Sequence, residues 1–305
     1  IPIIEPLKQS LGGNQITKVS GIINGTTNYI LSRMDKEGVD YADVLKDAQE
    51  LGYAESDPAA DVEGSDAADK IAILSGLAFG GSINRSNIPT TGINHLEAVD
   101  VNYARKLGYG IKLLAISEKD KSPSKTEGSQ PLSIWVEPTL VPEDNPLAGV
   151  NGVNNAILVE GNPIGQVMFF GPGAGSGPTA SAVVADILNI AGIQSMSEDN
   201  IFNLDPLLSA KSWRNCHIAE KKQITKKNYI RLIAKDSPGV IGEIGTIFGK
   251  KKISIESIVQ FDVTDEEAEI VVITHKIQQG QLEEALLEIK NLSQVKRIAA
   301  TMGCL

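Results

Sequence analysis

At 305 residues, 42% of them hydrophobic and 5% aromatic, the chain can bury a full core and exceeds the usual length of one domain, so two units are expected. Its 38 acidic against 28 basic residues give a formal net charge of -10 with the basic residues scattered, which excludes an electrostatic footprint for nucleic acid or an anionic membrane and favours small neutral or zwitterionic partners. No apolar run approaches the roughly 20 residues that span a bilayer, no signal segment opens the chain, and Cys216 and Cys304 show neither metal-ligand nor disulfide spacing, so a cytoplasmic protein is expected.

The opening run Ile1 to Ile4 is apolar, broken by Pro2, and reads as the continuation of an upstream segment. Residues 16–23 alternate like a half-buried strand and stop at Asn24-Gly25-Thr26-Thr27, before a helical spacing of Tyr29, Ile30 and Met34. Asp40 with Asp43 resembles an acidic capping box, opening a helix through Val44, Leu45 and Ala48 that stops at Gly52. An acid-rich loop leads into 66–79, apolar nearly all round after its first turn, which predicts a helix buried on most sides.

A helix ending at Gly108 and a strand over 111–116 follow, then a Ser, Lys and Pro-rich loop at 120–130. Strands are expected at 132–137, 156–160 and 164–170, with turns at Pro138, Gly149, Gly152 and Asn162-Pro163. Their closeness in sequence favours antiparallel hairpins. The glycine run 171–177 precedes a small-residue helix from Thr179 through Val183, Ile187 and Ile190. Residues 206–227 read as a linker between a first domain, 1–205, and a second, 228–305. The second reads strand 229–234, turn 236–239, helix 240–249, strands 253–261 and 268–274, helix 282–292 and strand 295–298. That β-α-β-β-α-β order is ferredoxin-like. The expected class is α+β: a mixed or antiparallel-sheet domain followed by a ferredoxin-like unit.

Asp66 and Lys70 lie four apart, on one face of the predicted helix, and the same stripe continues through Ile73 and Leu77. A lysine placed where a polar tip becomes core is held between desolvation, which disfavours its charge, and a carboxylate that favours it. Such a group suits proton transfer to a developing alkoxide. The plainer reading is a helix-surface ion pair, worth about 0.3–0.5 kcal/mol. Glu55, Asp57, Asp61 and Glu63 crowd the preceding loop and could hold a substrate ammonium; their spacing does not match a calcium loop, and a solvated loop is the alternative. Asn24-Gly25-Thr26-Thr27 at a helix start could receive a carboxylate, or could simply cap the helix. Gly175-Ser176-Gly177-Pro178-Thr179-Ala180 formally satisfies G-x-G-x-x-A. Pro178 and its late position nevertheless argue against a complete dinucleotide fingerprint and leave a loop that approaches a cofactor from the far side. His95, His217 and His275 follow no metal or triad spacing, so no metal is expected.

Three motifs in order, Ser20-Gly21-Ile22-Ile23-Asn24-Gly25-Thr26-Thr27-Asn28, then Leu51-Gly52-Tyr53-Ala54-Glu55-Ser56-Asp57-Pro58 through Asp61, Asp66 and Lys70, then Gly171-Pro172-Gly173-Ala174-Gly175 with Thr179-Ala180, resemble homoserine dehydrogenase. The resemblance covers about 1–205, as a catalytic and dimerisation domain, and the tail from Asp236-Ser237-Pro238-Gly239-Val240 resembles an ACT regulatory domain. It implies reversible reduction of L-aspartate 4-semialdehyde to L-homoserine with NADP or NAD. Lys70 is implied as proton donor with Asp66 as its partner; Glu55, Asp61, Tyr53, Gly25 and Thr26 are implied as the substrate pocket. Gly173, Ala174 and Gly175 are implied as the loop over the cofactor, and Asp236, Pro238 and Gly239 as an effector site with threonine as the foremost effector. A homodimer or larger homo-oligomer is implied, and a nucleotide-binding domain upstream of Ile1. The rival reading is a non-catalytic amino-acid sensor acting through the tail. An aldehyde dehydrogenase of related fold would need a mid-chain nucleophilic cysteine, and Cys216 falls in the expected linker.

Overall fold

A computed structural model describes residues 1–120, 130–195, 216–264 and 267–305, so the loop expected at 120–130, apart from its two end residues, and residues 206–215 of the expected linker lie outside the described residues. A short helix α1 (Ile4–Lys8) precedes strand β1 (Gln15–Ile22). Asn24 then caps α2 (Gly25–Glu37), its Oδ1 accepting from the Thr27 N–H at 2.9 Å, while Ile30, Leu31 and Met34 face the core. In α3 (Tyr41–Glu50) the inward pair is Val44 and Ala48, as the spacing predicts. The acidic capping box does not form, because the Asp40 side chain makes no cap hydrogen bond. One turn, α4 (Ala59–Val62), leads through Gly64, whose φ of +85° favours glycine, into α5 (Ser65–Phe79). This helix is less enclosed than its composition suggests: Ala67, Ala68, Ile71 and Leu74 are buried, but Ile73 is 59% exposed.

After α6 (Ala98–Lys106) come β2 (Tyr109–Lys119), β3 (Gln130–Pro142), β4 (Asn154–Asn162) and β5 (Gly165–Pro172), then helix α7 (Ser176–Ser195), with Val183, Ile187 and Leu188 exposed. The expected hairpins are present, β2 antiparallel to β3 and β4 antiparallel to β5. Pro138 is not a turn. It lies inside β3 opposite Leu113, on a stretch flanked by no named strand on the other side, where a missing N–H is tolerated. The expected linker is partly folded: β6 (Cys216–Ile218) pairs with the start of β3, Ala219 and Ile224 are buried, and β7 (Thr225–Lys235) already includes Lys226 and Lys227.

The remaining elements are α8 (Val240–Lys250), β8 (Ile255–Thr264), β9 (Glu267–Thr274), the two-residue β10 (Ile277–Gln278), α9 (Gln279–Lys290) and β11 (Val295–Cys304). Their order across the sheet, β11-β7-β9-β8, is that of a ferredoxin-like unit whose core lies under Ile244, Phe248, Leu282 and Ile289. β11 runs six residues past the predicted Ile298, because its pairing with β7 continues to Cys304. That extension has a structural effect. Gly303 and Cys304 pair in parallel with Thr139 and Leu140, so both halves share one sheet of order β5-β4-β1-β2-β3-β11-β7-β9-β8. A second tie is buried: Arg231 on β7 reaches Asp100 of α6, and it also pairs with the half-exposed Glu97 just before that helix. None of the described helices is long and apolar enough to cross a membrane.

Candidate active site

Strand β1 delivers Ile23 and Asn24 to a point where α2 begins and α5 passes. Asn24 Nδ2 donates to Asp61 Oδ1 at 2.6 Å and to Asp66 Oδ2 at 2.9 Å, so one buried amide gathers two carboxylates from the acid-rich loop and the helix after it. Lys70 Nζ donates to the same Asp66 Oδ2 at 2.7 Å and to the Ile23 carbonyl at 3.2 Å. The spacing of four therefore does bring Asp66 and Lys70 together. Their burial differs from expectation, since the Lys70 side chain is 49% exposed at the cavity mouth.

Opposite these charges, Thr26 Oγ1 donates to the Tyr53 carbonyl at 2.8 Å, and the Tyr53 ring leans on Tyr29 with centroids 4.8 Å apart. The glycine run after β5 closes the third side. The resulting cavity, about 430 Å³, is lined by Gly25, Thr26, Tyr53, Asp61, Asp66, Lys70, Gly173, Ala174 and Gly175, together with Asn24, Val153 and Asn155. Two carboxylates against one ammonium leave a net negative interior, and the first N–H groups of α2 point the helix's positive end at it. A small zwitterion finds both its counter-charges here.

Glu55 is not part of this lining. Its neighbour Ala54 is the residue turned inward, at 7% exposure, and the Glu55 carbonyl accepts from Gln49, which leaves the Glu55 side chain in solvent. Asp57 Oδ1 accepts from the Ala59 N–H at 3.2 Å, closing the turn before α4. Of the four loop carboxylates only Asp61 faces the cavity.

Asn155 was not anticipated by the sequence pattern. It is 7% exposed on β4, its Oδ1 has no hydrogen-bond partner, and it also lines a second, apolar cavity of about 220 Å³ beside Lys70. Gly173 is glycine for a related reason: a Cβ there would collide with the Asn155 amide. In the ferredoxin-like unit, Asp236, Pro238 and Gly239 line a separate cavity of about 480 Å³, where Gln260 Nε2 donates to Asp236 Oδ1 at 3.0 Å.

Residues 2–188 match the family model described as homoserine dehydrogenase, and residues 228–294 match that of the ACT domain. The homoserine dehydrogenase of Synechocystis sp. (strain ATCC 27184 / PCC 6803 / Kazusa) is 52% identical over 305 residues, which is 100% of this chain and 69% of that protein. The crystal structure of a homoserine dehydrogenase from Thiobacillus denitrificans superimposes with a TM-score of 0.92 at 38% identity, covering 100% of this chain and 68% of that one. A hyperthermophilic archaeal homoserine dehydrogenase mutant solved in complex with NADPH matches 65% of this chain and 54% of its own, with a TM-score of 0.51 at 31% identity. The chain thus spans about two thirds of the length of the relatives it matches over its whole length. It belongs to the homoserine dehydrogenase family of NAD(P)-dependent oxidoreductases and carries an ACT domain at its C-terminal side.

Proposed function

We propose that this chain binds the substrate and moves the proton in the reversible reduction of L-aspartate 4-semialdehyde to L-homoserine, with NADP or NAD as cofactor, and that its ACT domain senses an amino acid. The observation that carries this reading is the anchoring of Lys70. An ammonium has three N–H donors. Asp66 and the Ile23 carbonyl take two, which leaves one for an aldehyde oxygen in the cavity.

The residues fit a nicotinamide cofactor on two counts: an orphaned buried amide at Asn155, and a glycine at 173 that keeps the approach open. When bound, the cofactor supplies the hydride. As charge builds on the carbonyl oxygen, Lys70 hands over its proton, so the new C–H and O–H bonds complete the alcohol; Asp66 steadies the ammonium before transfer and orients the amine after it. Asp61 receives the substrate ammonium, and the N–H groups of Gly25 and Thr26 receive its carboxylate. Tyr53 packs against the substrate's methylene chain. In the ACT unit the cavity at Asp236, Pro238 and Gly239 is the effector site, with threonine as effector. The edge strand β5, with exposed Met168 and Phe170, supports a homodimer, and the cytosol is the compartment of such an enzyme.

Calorimetric titration of the chain with L-homoserine tests the substrate reading. Binding that weakens at least tenfold in Asp61→Asn is expected; absence of heat, or equal affinity in the variant, overturns it.

A further inference from the structure

We infer that Asn155 is the residue that binds the carboxamide of the nicotinamide ring, seating that ring in the apolar cavity beside Lys70. This deepens the reading above and rests on it. A primary amide offers two donors and an acceptor. In Asn155 none of these is used: Oδ1 is sealed from solvent without a partner, and no hydrogen bond of Nδ2 is formed among the described residues. Leaving such a group unsatisfied in a folded protein costs about 1–3 kcal/mol, and native structures resolve that penalty with a ligand or a function.

Its surroundings identify the ligand. Lys70, Asn155 and Gly173 line both cavities and so form the boundary between the polar one and the apolar one. The apolar cavity is otherwise walled by aliphatic side chains, including Ile4, Ile23, Ile73 and Ile157, and apart from Lys70 its only polar side chain is Asn155. A pyridine ring has two apolar faces and one polar substituent, a carboxamide whose carbonyl and N–H₂ complement an asparagine amide atom for atom. Hydride must reach the carbon whose oxygen Lys70 protonates, which requires the ring face to lie directly against the substrate carbonyl, with that lysine beside both. The two cavities meet at Lys70, Asn155 and Gly173, where ring and substrate would adjoin. A purely structural wedge between Gly25 and Gly173 would not need an amide, since leucine has nearly the same shape.

The test is ¹H–¹⁵N NMR of the 305-residue chain, with the Asn155 side-chain signal assigned by its loss in Asn155→Ser. Nicotinamide mononucleotide should move that signal, and the analogue carrying acetyl in place of carboxamide should move it severalfold less. In Asn155→Ala, nicotinamide mononucleotide should bind roughly tenfold more weakly and the preference for carboxamide over acetyl should vanish. An Asn155 signal that ignores nicotinamide mononucleotide, or a variant that keeps the preference, overturns the inference. L-homoserine provides the control: if it shifts the backbone amides of Gly25 and Thr26 in the same sample, the substrate reading survives that failure, and if it does not, the substrate reading falls independently.

Discussion

The guanidinium of Arg231 donates to both carboxylate oxygens of Asp100, at 2.7 and 3.0 Å, and both side chains are wholly buried between the ACT unit and α6. Glu97 and Glu269 complete the surroundings of that single cation, at 2.7 and 3.3 Å. Burial works against the charge on Arg231, but the hydrogen bonds and attraction of Asp100, with those of Glu97 and Glu269, together outweigh it and hold the guanidinium protonated. The same carboxylate and the surrounding protein push the Tyr229 hydroxyl well above the usual tyrosine range, chiefly through burial.

Arg231→Met should therefore destabilise the chain by about 3–5 kcal/mol, because it leaves Asp100 and Glu269 as uncompensated buried charges. Urea denaturation measures this directly. A loss below about 1 kcal/mol would show that the cluster is hydrated in solution.

Lys70→Met, assayed with L-aspartate 4-semialdehyde in the complete enzyme, should lower kcat by two to four orders of magnitude with little change in unfolding midpoint, since the side chain is half exposed. Asp66→Asn should do less, as Ile23 still anchors the ammonium. Near-normal turnover in Lys70→Met would remove that lysine from the mechanism.

Glu55→Leu should leave the substrate KM within about twofold, as expected for an exposed residue away from the cavity. Asn24→Ala should raise it strongly, because the amide that joins Asp61 to Asp66 and caps α2 is lost. The reverse ranking in steady-state kinetics would return Glu55 to the site.

Lys112 gives a pH signature. Burial lowers its pKa from 10.5 to about 8, with Asp35 opposing, while its Nζ donates to the Val150 carbonyl at 2.6 Å and to Asn151 Oδ1 at 2.9 Å. Between about 8 and 10.5 the unfolded chain carries the proton and the folded one does not, so stability rises with pH across that window. Unfolding free energies from urea titrations at about pH 7.5 and 9.5 should differ by roughly 2 kcal/mol in a manner absent from Lys112→Gln. Parallel behaviour of the two proteins would mean that Lys112 titrates normally.

Much of this architecture is legible in the sequence because local rules and tertiary packing agree. The strand over 16–23, the cap at Asn24 and the spacing of Val44 and Ala48 each reappear in the fold, although β1 alternates only at its start and is buried continuously from Val19 onward, because neighbours cover both its faces there. Asp66 and Lys70 are readable as a pair, since helical spacing alone puts them on one face. Other features depend on partners remote in the chain. Glu55 points away because Ala54 takes the inward position, which composition cannot reveal. Ile73 looks like core on a helical wheel yet borders an open cavity. Asn155 sits in a stretch of small and polar residues after Gly152 that reads as turn, and only the approach of Gly173 gives it a place in the site. β11 extends past Ile298 because β7 and β3 lie on either side to receive it.

That last strand also constrains how the molecule is made. β11 follows every other strand in the chain, yet it occupies the middle of the sheet, between β3 and β7. During synthesis β3 and β7 lack this shared partner until Val295–Cys304 emerges, and until then the joint between the halves rests on Arg231 and its carboxylates. Stalled ribosomes should therefore carry chains with unpaired backbone along β3 and β7, the species on which chaperones and proteases act.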